Sequence, residues 1–254
     1  MSIIYGPVSS WRLGRSLGID LLNTRRKVCS FNCVYCQLGN ITEFVTEPKE
    51  FIGLERLAKE IRSVQQIKSD YATFSGMGEP TLASNLDEAI KLVRSMLNLP
   101  IAVLTNSSFM FREDVRRRLS HADTVVAKLD VPSEELFTKV NRPVSGLHFD
   151  QIKDGIGLFR DKYRGKLALQ VMFIVANKDY ASEIAALASE ISPDEVQINT
   201  PLRLCKMKPL PRDDIASIRE KFNNLRNVIT VYDVPKPEIK PLDLAETLRR
   251  RPKI

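Results

Sequence analysis

The sequence is poor in histidine, tryptophan and cysteine: 254 residues contain His121, His148, one Trp and four Cys, and aromatics make up 7%. Four cysteines spread over this length exclude a small scaffold stapled by disulfides. Long apolar runs are missing as well. The longest, Ala168 to Ala176, is interrupted by Gln170 and is far too short to cross a bilayer. Residues 1–15 include Pro7, Trp11 and Arg12 and lack the apolar core of a signal peptide. A cytoplasmic protein with no membrane partner is therefore expected. There is no internal repeat, no low-complexity block and no linker-like break in composition. With 43% hydrophobic and 27% charged residues, a disordered or collagen-like chain is excluded.

What is present is a basic balance and an alternating pattern. Lys+Arg 38 against Asp+Glu 31 gives a formal charge of +7, which suits a polyanionic partner. The local concentrations are Arg116-Arg117-Arg118 and Arg249-Arg250-Arg251. Each run is expected to be a solvated helix face, so charge alone does not establish nucleic-acid binding. Apolar, β-rich runs occur at Leu17–Leu22, Tyr71–Phe74, Ile101–Leu104, Thr124–Leu129, Leu167–Val175 and Val196–Ile198, with a seventh candidate at Val228–Tyr232. Between them, helical spacing links Leu54, Leu57, Ile61 and Val64, then Leu86, Ile90, Val93 and Leu97. Three further faces follow: Ile152, Ile156 and Phe159; Ile184, Leu187 and Ile191; and Ile215, Ile218 and Phe222. This repetition predicts an α/β fold with right-handed crossovers and a mostly parallel sheet buried on both faces. One domain over residues 1–233 is expected, with a Pro-punctuated basic extension at 234–254. A barrel or partial barrel places its chemistry on the loops after the strands' C-terminal ends.

Those loops carry the informative residues. Cys29, Cys33 and Cys36, just after the first expected strand, can converge on one side of a metal centre. A structural zinc site takes four ligands, commonly as two separated pairs, and no histidine is near. Three thiolates on a four-iron cubane would leave one iron open. After the second strand comes Ser75-Gly76-Met77-Gly78-Glu79-Pro80. Its glycines allow close backbone approach to a ligand, and Glu79 suits an ammonium group. The plain alternative is a β-to-α loop with Glu79 at a helix start. Thr105, Asn106 and Ser107 follow the third strand and can bond ribose hydroxyls or a carboxylate, or serve as turn residues. Lys128, in an apolar strand, needs a polar mouth or a partner near Asp130. Gln170 and Asn199 can touch a cofactor or satisfy local backbone. Cys205 is either a reactive thiol at the mouth (thiyl, methyl-carrying or an extra metal ligand) or a small buried hydrophobe.

Three cysteines separated by three and then two residues, with the aromatic Tyr35 before the last, resemble the signature of the radical S-adenosylmethionine superfamily. Gly76-Met77-Gly78-Glu79-Pro80 resembles its glycine-rich glutamate motif, departing from it at Met77. The likeness spans about Gly6 to Pro201 and implies a partial (β/α)6 TIM-like barrel. It further implies that Cys29, Cys33 and Cys36 hold a [4Fe–4S] cluster, and that Tyr35 lies near the adenine. By the same resemblance Gly76, Met77, Gly78, Glu79, Thr105, Asn106, Ser107, Lys128, Gln170 and Asn199 line the S-adenosylmethionine (SAM) site. A reductant such as ferredoxin or flavodoxin is implied, as is reductive cleavage of SAM to a 5′-deoxyadenosyl radical. Val126–Asp130, Phe137–Pro143 and the opening Gly6–Gly18 look like uncharacterised relatives of the tRNA wyosine-base synthases. Those synthases carry a second cluster with its own cysteines in their N-terminal part, whereas no cysteine precedes Cys29 here. The expected substrate is an RNA (tRNA) nucleobase, the alternative a peptide, protein or small molecule, and the third reading a non-catalytic metal- or nucleic-acid-binding module.

Overall fold

A computed structural model describes residues 1–40, 44–235 and 237–252. The strands are β1 (Ile4–Ser10), β2 (Gly14–Ile19), β3 (Tyr71–Phe74), β4 (Ile101–Thr105), β5 (Thr124–Lys128), β6 (Lys166–Met172), β7 (Glu195–Asn199) and β8 (Val228–Thr230). Helices α1 (Leu54–Arg62), α2 (Leu86–Met96), α3 (Glu113–Leu119), α4 (Glu134–Val140), α5 (Phe149–Lys162), α6 (Ala181–Ile191), α7 (Arg212–Glu220) and α8 (Leu244–Arg250) complete the chain. The strands form one curled sheet in sequence order, β1 antiparallel to β2 and all later neighbours parallel. This is a half-barrel of the TIM-like kind. None of the described helices is long and apolar enough to cross a membrane.

The six expected strands are present, and the candidate at Val228 makes a seventh parallel strand. The unforeseen strand is β1, which contains Gly6-Pro7. Proline lacks a ladder donor and is tolerated on an edge or at a bulge. Both conditions hold here, because β1 is the edge and the register with β2 shifts between Tyr5 and Val8. The expected helical faces also pack inward: Leu57 and Ile61 on α1, Ile90 and Val93 on α2, Ile156 and Phe159 on α5 are all buried. Short helices α3, α4 and α8 offer too few turns for a periodic signal.

Strand parity sorts the interior. Gln170 and Met172 on β6 line the barrel cavity, while Leu169 and Val171, of the opposite parity, join the hydrophobic core. Lys128 pairs in register with Gln170, and Met172 with Asn199, so these side chains arrive side by side at the strands' C-terminal ends.

The two arginine runs depart from the expected solvated faces. Arg118 is buried, donating to the carbonyls of Thr81 and Ala83 at 3.2 and 3.0 Å and to Asp114 Oδ2 at 2.9 Å. Arg250 is fully buried and pairs with Asp20 at 2.8 Å. It also donates to the Ser2 carbonyl at 2.6 Å, Asn23 Oδ1 at 3.0 Å and Glu246 Oε2 at 2.7 Å, and its guanidinium lies 4.8 Å from the Tyr5 ring centre. The tail thus returns to the start of the sheet, where α8 packs on β1. A charged group can be buried at tolerable cost only when it is paired and fully hydrogen-bonded, which these partners provide.

Candidate functional site

The strands' C-terminal ends and their loops enclose a cavity of about 620 Å³. Cys29, Cys33, Cys36, Tyr35, Gly76, Gly78, Glu79, Thr105, Asn106, Lys128, Gln170 and Asn199 all line it. Residues spread over more than 170 positions therefore meet at one place, as the sequence reading required. Met77, Ser107 and Cys205 do not line this cavity. Met77 turns into the core, contributing only its carbonyl, which accepts from Val28 N at 2.8 Å. Ser107 is buried, with φ 69°, and its amide donates to Thr105 Oγ1 at 3.0 Å. The Cys205 thiol donates to the Met207 carbonyl at 3.2 Å, a local turn contact.

The cysteine loop is held on both sides. Toward β3, Val28 N binds the Met77 carbonyl and Glu79 N binds the Val28 carbonyl at 3.0 Å. A Cβ on Gly78 would lie 1.5 Å from Val28 O, so this close approach requires glycine. Toward α4, Asn32 N and Val34 N donate to the carbonyls of Arg142 and Val140, each at 3.0 Å, and Val144 N donates to Ser30 O at 2.9 Å. Gly76 is equally constrained, because a Cβ there would lie 2.2 Å from Asp20 Cγ. Asp20 is the partner of Arg250, so α8 buttresses the floor of the glycine-rich turn.

Glu79 is buried and already oriented. Its Oε1 accepts from Thr81 N at 3.1 Å, Thr81 Oγ1 at 2.7 Å and Thr105 Oγ1 at 2.7 Å, while Oε2 accepts from Asn106 N at 2.6 Å. It also caps the 3-10 turn at Pro80–Leu82, so the helix-start alternative holds in part alongside its place in the cavity wall. Burial raises its carboxyl above the usual carboxylate range, against the pull of these hydrogen bonds. A cation brought to this wall would relieve that cost.

Tyr35 and Lys128 belong to a second network. The Tyr35 hydroxyl donates to Asp130 Oδ2, which also accepts from Asn141 Nδ2 at 2.8 Å. Lys128 Nζ lies 3.4 Å from Asp130 Oδ1 and 4.7 Å from the Tyr35 ring centre. The Tyr35 hydroxyl is thereby committed inside the protein, leaving its ring to the cavity. The partner near Asp130 that the sequence reading offered Lys128 is Asp130 itself, but that reading missed the bonds Asp130 accepts from Tyr35 and Asn141, although Asp130 and Asn141 both sit in the segments that carried the family resemblance. It also missed Lys27. Lys27 Nζ is shielded from solvent, and the Cys36 thiol is the group that acts on it most strongly. Burial opposes its charge, and Cys36, Cys29 and Cys33 outweigh that and raise its pKa.

The donor set fits an iron–sulfur cluster. Burial pushes the Cys29 thiol up to about 12 and raises Cys33 as well, so neither ionises readily by itself. Metal coordination displaces the proton and takes the thiolate. The resulting anionic assembly would sit beside the buried Lys27. Asn106 Nδ2 lies 3.4 Å from Cys29 Sγ, and Asn141 Nδ2 lies 3.6 Å from Cys33 Sγ, both amide donors suited to sulfur. Among the described residues no three His, Cys, Asp or Glu side chains gather around a single ion. Thiolates of a cubane bind separate irons, so three thiols around one cavity is the arrangement that matters.

Comparison with known proteins agrees. The radical SAM superfamily profile matches residues 26–200. A UPF0026 protein of Synechocystis is 39% identical over 211 residues, covering 83% of this chain and 78% of that protein. A probable GTP 3′,8-cyclase of Saccharolobus islandicus is 23% identical over 220 residues, covering 84% of this chain and 67% of its own. Among solved structures, Streptococcus suis SuiB bound to S-adenosylmethionine superposes with TM-score 0.63 at 16% identity, covering 83% of this chain. This chain spans about half of SuiB, 50% of its length. Archaeal TYW1 superposes with TM-score 0.57 at 15% identity, over 83% of this chain and 72% of that one. At these identities the structural likeness speaks for the fold, and the profile and the UPF0026 relative settle the family. The superfamily's enzymes use a [4Fe–4S] cluster and S-adenosylmethionine, and this chain belongs to the radical SAM superfamily.

Proposed function

We propose that Cys29, Cys33 and Cys36 hold the cluster and that Glu79, with Asn106, Gln170 and Asn199, holds SAM, for hydrogen abstraction from an RNA nucleobase. The observation that carries this is the single cavity, lined by the three thiols and the prearranged Glu79 carboxylate. When bound, the cluster and SAM supply an electron and a 5′-deoxyadenosyl radical that abstracts a substrate hydrogen. The protein's own part is placement and exclusion of water. Glu79, held by four donors, meets an ammonium group without reorganising. Lys128 is available to a carboxylate at the price of loosening its contact with Asp130. The walls from β3 to β7 would limit the access of water to such a radical. A reductant such as ferredoxin or flavodoxin completes the system.

The nucleobase reading draws support from the basic balance of +7 and from the likeness to a probable GTP 3′,8-cyclase. Two measurements test it. Anaerobic reconstitution with iron, sulfide, reductant and SAM should yield 5′-deoxyadenosine; a chain that assembles the cluster but never cleaves SAM refutes the radical mechanism. Mass spectrometry of tRNA nucleosides from a deletion strain should show a lost or truncated modification. An unchanged profile rejects the RNA substrate and leaves a peptide, protein or small molecule.

A further inference from the structure

The cavity also carries in its wall three arginines that the reading above does not use. Arg12 in the β1–β2 turn, Arg203 in the loop after β7 and Arg251 just beyond α8 all line it. Among the described residues, none of the three makes an ion pair with a carboxylate, in contrast to neighbouring Arg249 and Arg250. Arg12 is the most telling, since its Nε and Nη1 are shielded from solvent and have no hydrogen-bond partner. Glu195 acts on Arg12 only at a distance and is already engaged by Lys166 at 2.8 Å and Gln197 at 2.7 Å. Arg251 spends its donors on Ser75 Oγ at 2.9 Å and the Arg250 carbonyl at 3.1 Å. Glu79 is the sole carboxylate among the described residues lining the cavity, and its oxygens are taken.

Three guanidiniums around one space, with no carboxylate of the described residues in ion-pair contact, repel one another. Burial, and then the charge of Arg251, lower both Arg12 and Arg203 to about 10, which leaves them cationic at neutral pH. Such an arrangement is costly unless an anion completes it. Guanidinium is planar, permanently charged and matched to bidentate oxyanions, and three of them exceed what one carboxylate can satisfy. A phosphoryl group has the oxygens and the charge.

We propose that Arg12, Arg203 and Arg251 form a phosphoryl-binding subsite that anchors the substrate in the same cavity as the three thiols. This deepens the proposed function and rests on its placement of SAM beside Glu79. The phosphoryl could come from a free nucleotide or from an RNA backbone, and the shared chemistry is the same.

The test is calorimetry on the anaerobically reconstituted holoenzyme with SAM bound, using inorganic pyrophosphate as the probe. Arg203→Gln and Arg12→Gln are each expected to weaken pyrophosphate binding roughly tenfold to a hundredfold, the size of one charge-assisted contact. SAM affinity and the cluster absorption should stay unchanged. Arg203 lies in a partly exposed loop, so its variant keeps the test open should Arg12→Gln fail to fold. Absence of pyrophosphate binding overturns the proposal, as does equal binding by wild type and variants. A parallel loss of SAM affinity also overturns it, by assigning the arginines to the cofactor's carboxylate. Guanosine triphosphate and a short oligoribonucleotide without terminal phosphates then identify the source. Arginine-dependent binding of pyrophosphate with neither of these sustains the subsite and points to a non-nucleotide phosphate ester. Failure to assemble a cluster sinks the proposed function instead, while the same titration of the unreconstituted chain still reads the arginines.

Discussion

Replacing Arg250 by Gln tests whether the C-terminal helix is a structural part of the site. Its guanidinium makes five donor contacts, to Asp20 Oδ2, the Ser2 and Glu246 carbonyls, Asn23 Oδ1 and Glu246 Oε2. Arg250 and Asp20 have side-chain exposures of 0% and 1%. Losing one partner leaves the Asp20 carboxylate buried with only the Asn23 amide, at 3.0 Å, as a donor. Breaking a buried pair in this way costs about 3–5 kcal/mol. Against a total stability of roughly 5–15 kcal/mol the variant should fold, but with a much lower urea midpoint. The second effect is local. Asp20 Cγ lies 2.2 Å from where a Cβ on Gly76 would be, so an Asp20 carboxyl that swings toward water is expected to disturb the glycine-rich turn packed on it. SAM affinity should therefore fall together with stability. Adding Asp20→Asn removes the stranded charge and should recover part of the loss, with a coupling of about 0.5–3 kcal/mol in a double-mutant cycle. A loss below about 1 kcal/mol for Arg250→Gln, or additive effects in the cycle, would refute the argument, because exposed pairs are worth no more than that.

Three other outcomes are expected. Cys33→Ala should abolish the cluster's visible absorption after anaerobic reconstitution, and a normal four-iron spectrum would remove Cys33 from the ligand set. Glu79→Gln keeps the shape of the side chain and removes its charge, so SAM should bind about tenfold to a hundredfold more weakly while the cluster assembles normally; unchanged affinity would leave Glu79 only its capping role at Pro80–Leu82. Gly78→Ala places a methyl 1.5 Å from the Val28 carbonyl and must separate the cysteine loop from the glycine-rich turn, so cluster content and SAM binding should fall together. Loss of only one of the two would show that these loops are not held as a unit.

Much of the fold and of the site was legible because it is written in local patterns. The six expected strands emerged from apolar runs, and the chemistry-bearing residues from spacing on the loops that follow them. Register then explains why distant residues meet, since Lys128 opposite Gln170 and Met172 opposite Asn199 follow from an in-order parallel sheet. Legibility ends where a residue's role depends on what returns to it from far along the chain. Arg250 reads as surface charge from its neighbours in sequence, yet its partner Asp20 lies 230 positions away. Tyr35 is expected near the adenine and its ring does line the cavity, but nothing local tells that its hydroxyl is held by Asp130, 95 positions on. Cys205 carries reactive chemistry as a residue type, and only its position shows the thiol turned to Met207 O rather than to the mouth. β1 was hidden by Gly6-Pro7, which local propensity disfavours and an edge position permits.

The arginines show the same limit from the opposite direction. Arg249, Arg250 and Arg251 are adjacent in sequence, yet the first two are paired with Glu246 while Arg251 is left to the cavity. A helix that gathers its own acids at one turn and frees the residue just past its end partitions a single basic run into a structural lock and a ligand-facing charge. Arg12 makes the division meaningful, because it comes from the turn after β1, the strand on which α8 packs, and its Nε and Nη1 also lack a hydrogen-bond partner. If the tail served only to close the barrel, the natural arrangement would pair Arg251 as it pairs Arg250. With no ion pair of its own among the described residues, and lining the same cavity as Arg12 and Arg203, Arg251 would give the tail a part in the proposed subsite as well as in the scaffold. Removing α8 should accordingly cost stability through Arg250 and, separately, phosphoryl affinity through Arg251. The substitution Arg251→Gln isolates the second: pyrophosphate binding should weaken while the urea midpoint stays within the small range typical of surface changes. A midpoint that falls as far as that of Arg250→Gln would show that Arg251 belongs to the lock after all.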